Sequence, residues 1–297
     1  MSGESEVAAG RCLLGVDLGG TRLRLLVERP DGDREPLVTT AAPGSYAELI
    51  ETIALQARAA PVAVDAVGLG IPGTCHGSRA GFVPALPWLD GRDVGADLSA
   101  RLAAEVTVAN DAQLSLLAEA RTGAARDADS AIMVTVGTGI GGAMMLGGRL
   151  WRGAHGSAGS WGWLDAAEAE PDAVHGPFEQ VASGSALDAL AGDIGGEDVV
   201  ERARRGERGA QQIVETYARR LGRGLAGLCS ALDPEVVVMA GGVVAAFDVI
   251  GPVMNDERRR WSSPDGRGIR VVPAELGASA GVAGALEAAR RGQEVWA

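Results

Sequence analysis

The chain has 297 residues, 46% of them hydrophobic and 22% charged, which suits two domains of ordinary size with full cores and excludes a disordered chain. A formal net charge of −12 argues against nucleic acid as a partner, because a surface that grips phosphates needs a basic face. No run of 18 apolar residues is present, so no membrane partner is expected, and Met1 to Gly10 lacks the basic start and apolar core of a secretory signal.

Those first ten residues read as a loose tail. Leu13 to Val27 then reads L-L-G-V-D-L-G-G-T-R-L-R-L-L-V, an apolar strand, a Gly19-Gly20-Thr21 turn and a second apolar strand. Asp17 ends the first strand. A carboxylate aimed at a phosphate-binding turn repels the phosphate unless a cation lies between them. Asp17 is therefore a candidate for holding Mg²⁺ through water, since Mg²⁺ keeps much of its hydration. An Asp satisfied by turn amides fits the same letters. Alternation puts Arg22 and Arg24 on one strand face. Asp31-Gly32-Asp33 is a turn, and Leu37 to Thr40 a third strand. Ser45 to Ala60 is helical, with Ser45 as N-cap and Glu48 at capping-box spacing. Val62 to Ile71 is a strand that runs into Ile71-Pro72-Gly73-Thr74. Trp88 in Phe82 to Asp90 is core, a loop anchor or a pocket wall. Val106 to Ala109 is a short strand with Asn110-Asp111 at its carboxyl end, followed by a helix over Gln113 to Thr122. Asn-Asp there is a helix cap, or a general base with an orienting amide.

Ile132 to Val136 is another buried strand. It breaks into Gly137-Thr138-Gly139-Ile140-Gly141-Gly142 before Ala143 to Leu146 resumes the apolar run. Glycines with a threonine let backbone N–H groups and a hydroxyl approach a phosphate closely. One such hairpin fits an ordinary tight turn equally well. Two in one chain suggest two jaws on one nucleotide. Neither is the strand–glycine–helix unit of a dinucleotide site. Helices are expected over Ala186 to Arg204 and Gly206 to Leu232, the second packing closely at Gly222, Gly224 and Gly227. Glu235 to Ala240 is a strand ending in Gly241-Gly242. Ile269 to Pro273 is a last strand, and Ala278 to Arg291 an amphipathic final helix. Cys12, Cys75 and Cys229, odd in number and far apart, read as buried thiols of a reducing cytoplasm.

Asp17-Leu18-Gly19-Gly20-Thr21, Asn110-Asp111, Gly137-Thr138-Gly139 and His155-Gly156-Ser157-Ala158-Gly159, in this order and spacing, resemble the ROK sugar kinases (repressor, open reading frame, kinase). The resemblance covers nearly the whole chain. It implies an α/β, two-domain actin-like ATPase (ribonuclease H-like) fold with a central cleft. Residues 1–113 with a returning segment 279–297 would form the small domain and 114–278 the large one. It implies ATP and Mg²⁺ as cofactors, a small-molecule sugar as substrate, and a homodimer. By the same resemblance Asp111 is the base for the sugar 6-hydroxyl, Asn110 fixes a neighbouring hydroxyl, and Gly73 contacts the sugar or supports the loop that does. Gly19, Gly20, Thr21, Gly137, Thr138 and Gly139 would cradle phosphates, and Gly241 and Gly242 would lie against the adenosine. The first strand begins near Cys12, without the helix-turn-helix extension of the ROK repressors, so DNA binding is not expected.

The chain departs from the family at the sugar. ROK kinases read H-G-x-A-G-E-x-G-H where this chain has Ser160 for Glu and Trp163 for His after the intact His155 frame. Ala85 replaces an Asn that reaches the sugar. The cysteine-rich zinc loop is absent from Glu170 to Phe178, and zinc needs about four N or S ligands, so no zinc is expected. Glu179, in a motif similar to L-E-x-x-A-S-G, is retained and by resemblance reaches the sugar, though an exposed acid at a helix start would look the same. Asn110, Asp111 and Glu179 then leave two carboxylates that suit an ammonium group. An aminohexose, 3-amino-3-deoxyglucose or glucosamine, is thus expected ahead of glucose. The alternative is a weak or inactive sugar-binding regulatory relative. A polyphosphate donor is disfavoured by the net charge, and an acyl kinase by the His155-Gly156 frame.

Overall fold

The computed structural model describes residues 10–166, 169–172 and 174–297. All but the last residue of the expected tail, Met1 to Gly10, lies outside these residues. The chain separates into two compact units. One takes the chain through Ala118, Ala154–Ser157 and Ala278–Trp296; the other takes Glu119–Gly153, Ala158–Gly277 and Ala297.

The first unit opens on the hairpin of β1 (Leu13–Leu18) and β2 (Arg22–Glu28), continued antiparallel by β3 (Arg34–Ala41). β3 is longer than Leu37 to Thr40 because its polar, exposed ends carry no apolar signal. Helix α1 (Tyr46–Ala59) starts where Ser45 Oγ accepts the Glu48 N–H at 3.3 Å. Strand β4 (Ala66–Ile71) runs parallel to β1. It starts later than Val62, since Asp65 is spent accepting the Cys12 N–H at 2.7 Å. A short ribbon, β5 (Cys75–His76) with β6 (Arg79–Ala80), precedes α2 (Val94–Leu102). Helix α2 was not expected from the sequence: it is nine residues long, and its Asp93 cap follows a turn-like Asp90-Gly91. Strand β7 (Glu105–Asn110) is parallel to β4 and feeds α3 (Asp111–Thr122). The sheet order is β3-β2-β1-β4-β7. Asp17, Ile71 and Asn110 therefore stand at the carboxyl ends of three neighbouring parallel strands, where open α/β sheets bind ligands.

The second unit repeats that topology. Strands β8 (Ala131–Val136), β9 (Ile140–Leu146) and β10 (Arg149–Leu150) form an antiparallel edge. Helices α4 (Pro177–Ala182), α5 (Gly184–Ala191), α6 (Gly196–Arg204) and α7 (Arg208–Leu232) follow. The helix expected over Ala186 to Arg204 is two helices. Gly192 at φ +59° and Gly195 at φ +79° take left-handed backbone that breaks the run. Strand β11 (Val236–Ala240) is parallel to β8, and after α8 (Phe247–Trp261) strand β12 (Arg270–Pro273) is parallel to β11. The order β10-β9-β8-β11-β12 matches the first sheet strand for strand. The core gathers Val134, Val136, Phe178, Tyr217, Leu221 and Met239. Gly222 and Gly224 pack closely as expected, a Cβ on Gly224 falling 2.2 Å from the Phe178 ring, but Gly227 has nothing within 4 Å.

Helix α9 (Ala280–Arg291) belongs to the first unit and lies on β1 and β4. A Cβ on Gly68 would stand 1.9 Å from the Ala285 carbonyl oxygen, and one on Gly284 would stand 1.8 Å from that of Leu114. Among the described residues no helix is long and apolar enough to cross a membrane.

Candidate active site

In the first unit Asp17 is 7% exposed, and its Oδ2 accepts from Arg24 Nη1 at 3.1 Å across the β1–β2 ladder, where the two residues are register partners. Burial pushes the Asp17 carboxyl upward, and the Arg24 charge and hydrogen bond pull it part of the way back. In the first turn of α9 a Cβ on Gly281 would fall 2.7 Å from the Asp17 carboxyl carbon, so only a glycine fits. The positive end of α9 thus sits beside this buried carboxylate. The turn between the strands closes through Gly19 N–H to the Arg22 carbonyl at 2.8 Å, which leaves Gly20 and Thr21 exposed. Ala85, where the family has Asn, stands against this turn: a Cβ on Gly20 would lie 3.0 Å from the Ala85 methyl.

At the end of β7, Asn110 and Gln113 form a reciprocal cap. Asn110 Oδ1 accepts the N–H groups of Ala112 at 2.8 Å and Gln113 at 3.2 Å, and Gln113 Oε1 accepts the Asn110 N–H at 3.0 Å. Asn110 Nδ2 donates to the Gly73 carbonyl at 3.0 Å, which ties the loop after β4 to the end of β7. The cap role that the sequence allowed is therefore occupied. Asp111, the first residue of α3, is half-buried, and its Oδ1 accepts the Ala112 N–H at 2.7 Å. Burial is the main cause that raises its carboxyl to about 6; the Ala112 amide opposes the rise and the negative charge of Asp17 adds to it. His155 is exposed and belongs to the first unit. The neighbouring Gly156, at φ +68°, comes so close to β5 that a Cβ would lie 2.2 Å from the Cys75 carbonyl oxygen.

In the second unit the Gly137–Gly139 turn is bound from behind. Gly137 and Thr138 carbonyls accept the N–H groups of Gly184 at 2.7 Å and Ser185 at 3.4 Å, and Gly137 N–H meets the Gly139 carbonyl at 3.0 Å. Glu179 Oε2 accepts the Ile140 N–H at 2.6 Å. Thr138 is exposed, and a Cβ on Gly137 would have nothing within 4 Å. Neither a left-handed backbone nor crowding by protein atoms requires glycine at 137. What it leaves is open backbone. Gly137 and Gly242 line one cavity of about 450 Å³, with Tyr217, Asp188, Glu201 and Arg204 also on its wall. Gly241, at φ +82°, closes on the end of β8, where a Cβ would lie 2.4 Å from the Val136 carbonyl oxygen. Ser160 precedes a one-turn helix and Trp163 is its last residue; both are exposed, Trp163 by 54%.

Mg²⁺ fits this chemistry in one way. Among the described residues no group of three or more His, Cys, Asp or Glu side chains is gathered to cage a metal. Asp17 supplies one buried carboxylate with Oδ2 held by Arg24, which suits an ion that keeps its waters and is carried by phosphates.

A model of the ROK family matches residues 13–291. The chain belongs to the ROK family. The bifunctional enzyme NanE/NanK of Brucella melitensis is 33% identical over 96% of the chain, and the chain spans about half of that relative, 55% of its length. The N-acetyl-D-glucosamine kinase of Vibrio cholerae is 29% identical, over 91% of this chain and 97% of the relative. The solved ROK family glucokinase of Streptomyces griseus, in complex with glucose and AMPPNP, superposes with a TM-score of 0.75 at 30% identity, covering 95% of this chain and 100% of that one. The fold is the actin-like ATPase fold of the ROK kinases.

Three contributors to the ROK motifs escaped the sequence reading. Gln113 completes the Asn110 cap, and its signal was the N-cap-to-N3 spacing. Trp161 is buried, and its Nε1 donates to the Met133 carbonyl at 2.8 Å. It lies so close to β9 that a Cβ on Gly142 would fall 2.3 Å from Nε1, so the second glycine of Gly141-Gly142 makes room for an indole. The Gly281 contact with Asp17 joins residues at opposite ends of the chain, and no local signal marks it.

Proposed function

We propose that this ROK protein is a sugar kinase that transfers the γ-phosphoryl group of ATP to the 6-hydroxyl of a hexose or aminohexose, with Asp111 as general base. The observation that carries this reading is the Asp111 carboxyl. It lies at the carboxyl end of β7, is raised to about 6 chiefly by burial, and so is ionised yet basic near neutral pH. Its neighbour across the sheet is Asp17, at the mouth of the Gly19–Thr21 turn. The relatives support the donor and the acceptor class, since one is named for N-acetyl-D-glucosamine and another was solved with glucose and AMPPNP.

Each residue then has a task. Gly19, Gly20, Thr21, Gly137, Thr138 and Gly139 offer open backbone and hydroxyls to the phosphates. Gly242 lines the cavity that would take the adenosine, and Gly241 packs beside it on the end of β8. Asp17 would hold Mg²⁺, which neutralises charge on the phosphates when bound. Asn110 stiffens the Gly73 loop and the start of α3, and keeps one amide hydrogen for a sugar hydroxyl. Asp111 takes the proton from the sugar O6–H as the new O–P bond forms and the bond to ADP breaks. Phosphoryl transfer is mainly positioning and charge neutralisation, so these tasks suffice.

Ser160 in place of Glu and Trp163 in place of His remove a charged acceptor and a polar contact. A charged hydrogen bond contributes roughly 1.5–3 kcal/mol, so plain glucose binds weakly and an aminohexose is preferred. The test compares kcat/KM for glucose, glucosamine, 3-amino-3-deoxyglucose, mannose and N-acetylmannosamine with ATP, read as ADP release. Glucose ahead of every other sugar by about tenfold or more would overturn the preference. The same two substitutions favour one second reading, a sugar-binding regulatory relative of low activity. It predicts that a sugar raises Tm while none is turned over.

A further inference from the structure

Helix α7 turns one stripe toward the core of the second unit. Ala210, Val214, Tyr217, Ala218 and Leu221 are all buried, at the spacing of a single helical face. Tyr217 is 1% exposed, so its ring belongs to the core. Its hydroxyl does not behave as a core hydroxyl should. A buried tyrosine usually bonds its O–H to a neighbour, yet no described residue partners this one. Burial alone pushes the phenol upward, with no hydrogen bond and no neighbouring charge contributing. Nor is the oxygen sealed off, because Tyr217 lines the cavity of about 450 Å³ that Gly137 and Gly242 also line.

The rest of the wall says what that hydroxyl can meet. Leu187, Val200, Val243, Ala246 and Ile250 line the cavity with buried apolar side chains. The carboxylates of Asp188, Glu197, Asp198 and Glu201 stand on its exposed parts. Arg204 does not offset them, because its donors are spent on Asp248 at 2.6 and 2.7 Å, on the Ala245 carbonyl at 2.6 Å and on Glu201. Such a wall repels an anionic group and suits a flat, uncharged ring with apolar faces and a polar edge. A phenol hydroxyl both donates and accepts, so it can pair with a ring nitrogen or with an amino group on that edge.

We propose that the Tyr217 hydroxyl hydrogen-bonds the purine base of the nucleotide, which makes Tyr217 a specificity contact for the phosphoryl donor. This rests on the proposed kinase reading and adds to it the side chain that touches the base. Tyr217→Phe keeps the ring and removes only the oxygen. Dissociation constants are measured by calorimetry on the full chain with Mg²⁺ and no sugar. AMPPNP and ADP each bind Tyr217→Phe about fivefold more weakly, the effect of one neutral hydrogen bond. The free protein loses a hydroxyl that has no internal partner, so its Tm stays level or rises. A hydroxyl with a purely structural role would lower Tm, so the two readouts separate the roles. A cycle of ligand and protein changes then locates the atom. Among 1-deaza-, 3-deaza-, 7-deaza- and 6-deamino-ADP, one analogue binds parent and variant equally well.

AMPPNP and ADP constants within about twofold of the parent overturn the proposal. So does a free-protein Tm lowered by more than about 3 °C, which puts the partner of the hydroxyl inside the protein. A penalty that persists with all four base analogues also overturns it, and loss of that penalty with 2′-deoxy- or 3′-deoxy-ADP moves the contact to the ribose. A parent that binds no AMPPNP refutes the kinase reading and this proposal with it. A parent that binds AMPPNP no better than Tyr217→Phe does refutes this proposal alone.

Discussion

Asp111→Asn tests the base and its burial at once, because the same environment that makes Asp111 basic makes it costly to ionise. The carboxyl moves from 3.8 in the unfolded chain to about 6 in the folded one, with burial as the leading cause. The folded protein binds the extra proton between these values. Stability from this group is therefore full below about pH 4, falls as pH rises through the window up to about 6, and stays low above it. The difference of about two units corresponds to about 3 kcal/mol, reduced to about 1–3 kcal/mol by the remaining solvent contact. Asparagine keeps the shape without the charge. Urea melts should show Asp111→Asn more stable than the parent by about that amount at pH 7.5 and equal to it near pH 4. Turnover should move the other way, kcat with the best sugar falling about 10²–10⁴-fold, the usual worth of a general base. In the parent, kcat/KM should fall below about pH 6 with unit slope. A loss in kcat of less than about tenfold would refute the assignment, as would a variant less stable than the parent at pH 7.5 but not at pH 4.

The remaining predictions use other parts of the molecule. Gly137→Ala should fold with unchanged or slightly higher Tm, since open space surrounds a Cβ there, yet bind AMPPNP at least about tenfold more weakly by blocking close approach; unchanged affinity would count against the phosphate assignment. Gly284→Ala should do the reverse, costing about 1–3 kcal/mol in urea unfolding because its Cβ meets a backbone carbonyl. Turnover should require Mg²⁺, while metal analysis after dialysis should find no stoichiometric zinc; zinc that survives dialysis would overturn the reading of the 170–178 loop. That loop includes Ala173, which lies outside the described residues.

Much of the molecule was legible because its signals are local. An apolar β-branched run broken by Gly-Gly-Thr or Gly-Thr-Gly reports a strand and a turn within a dozen residues, and both hairpins form as β1–β2 and β8–β9. Motif order carried the family and the fold. The helix over Ala186 to Arg204 misled because alanine-rich periodicity outweighed two glycines that needed φ above zero. Helix α2 was lost because nine residues after a turn are too few for a periodic signal.

The sequence by itself determined which chemical groups the chain owns: two glycine turns, Asp17, Asn110-Asp111, and Ser160 and Trp163 in place of the family's Glu and His. Composition and spacing suffice for that, since they are properties of neighbouring residues. Only the tertiary structure decided how those groups are employed. Asn110 proved to be bound into a cap with Gln113 and a tie to Gly73, Asp17 to be paired with Arg24 beside the start of α9, and Glu179 to hold the amide after the second glycine turn. A hydrogen bond or a burial-driven rise in pKa depends on atoms brought together across 37 residues in Asn110 to Gly73 or 39 in Ile140 to Glu179, and no sequence window spans the packing that sets them.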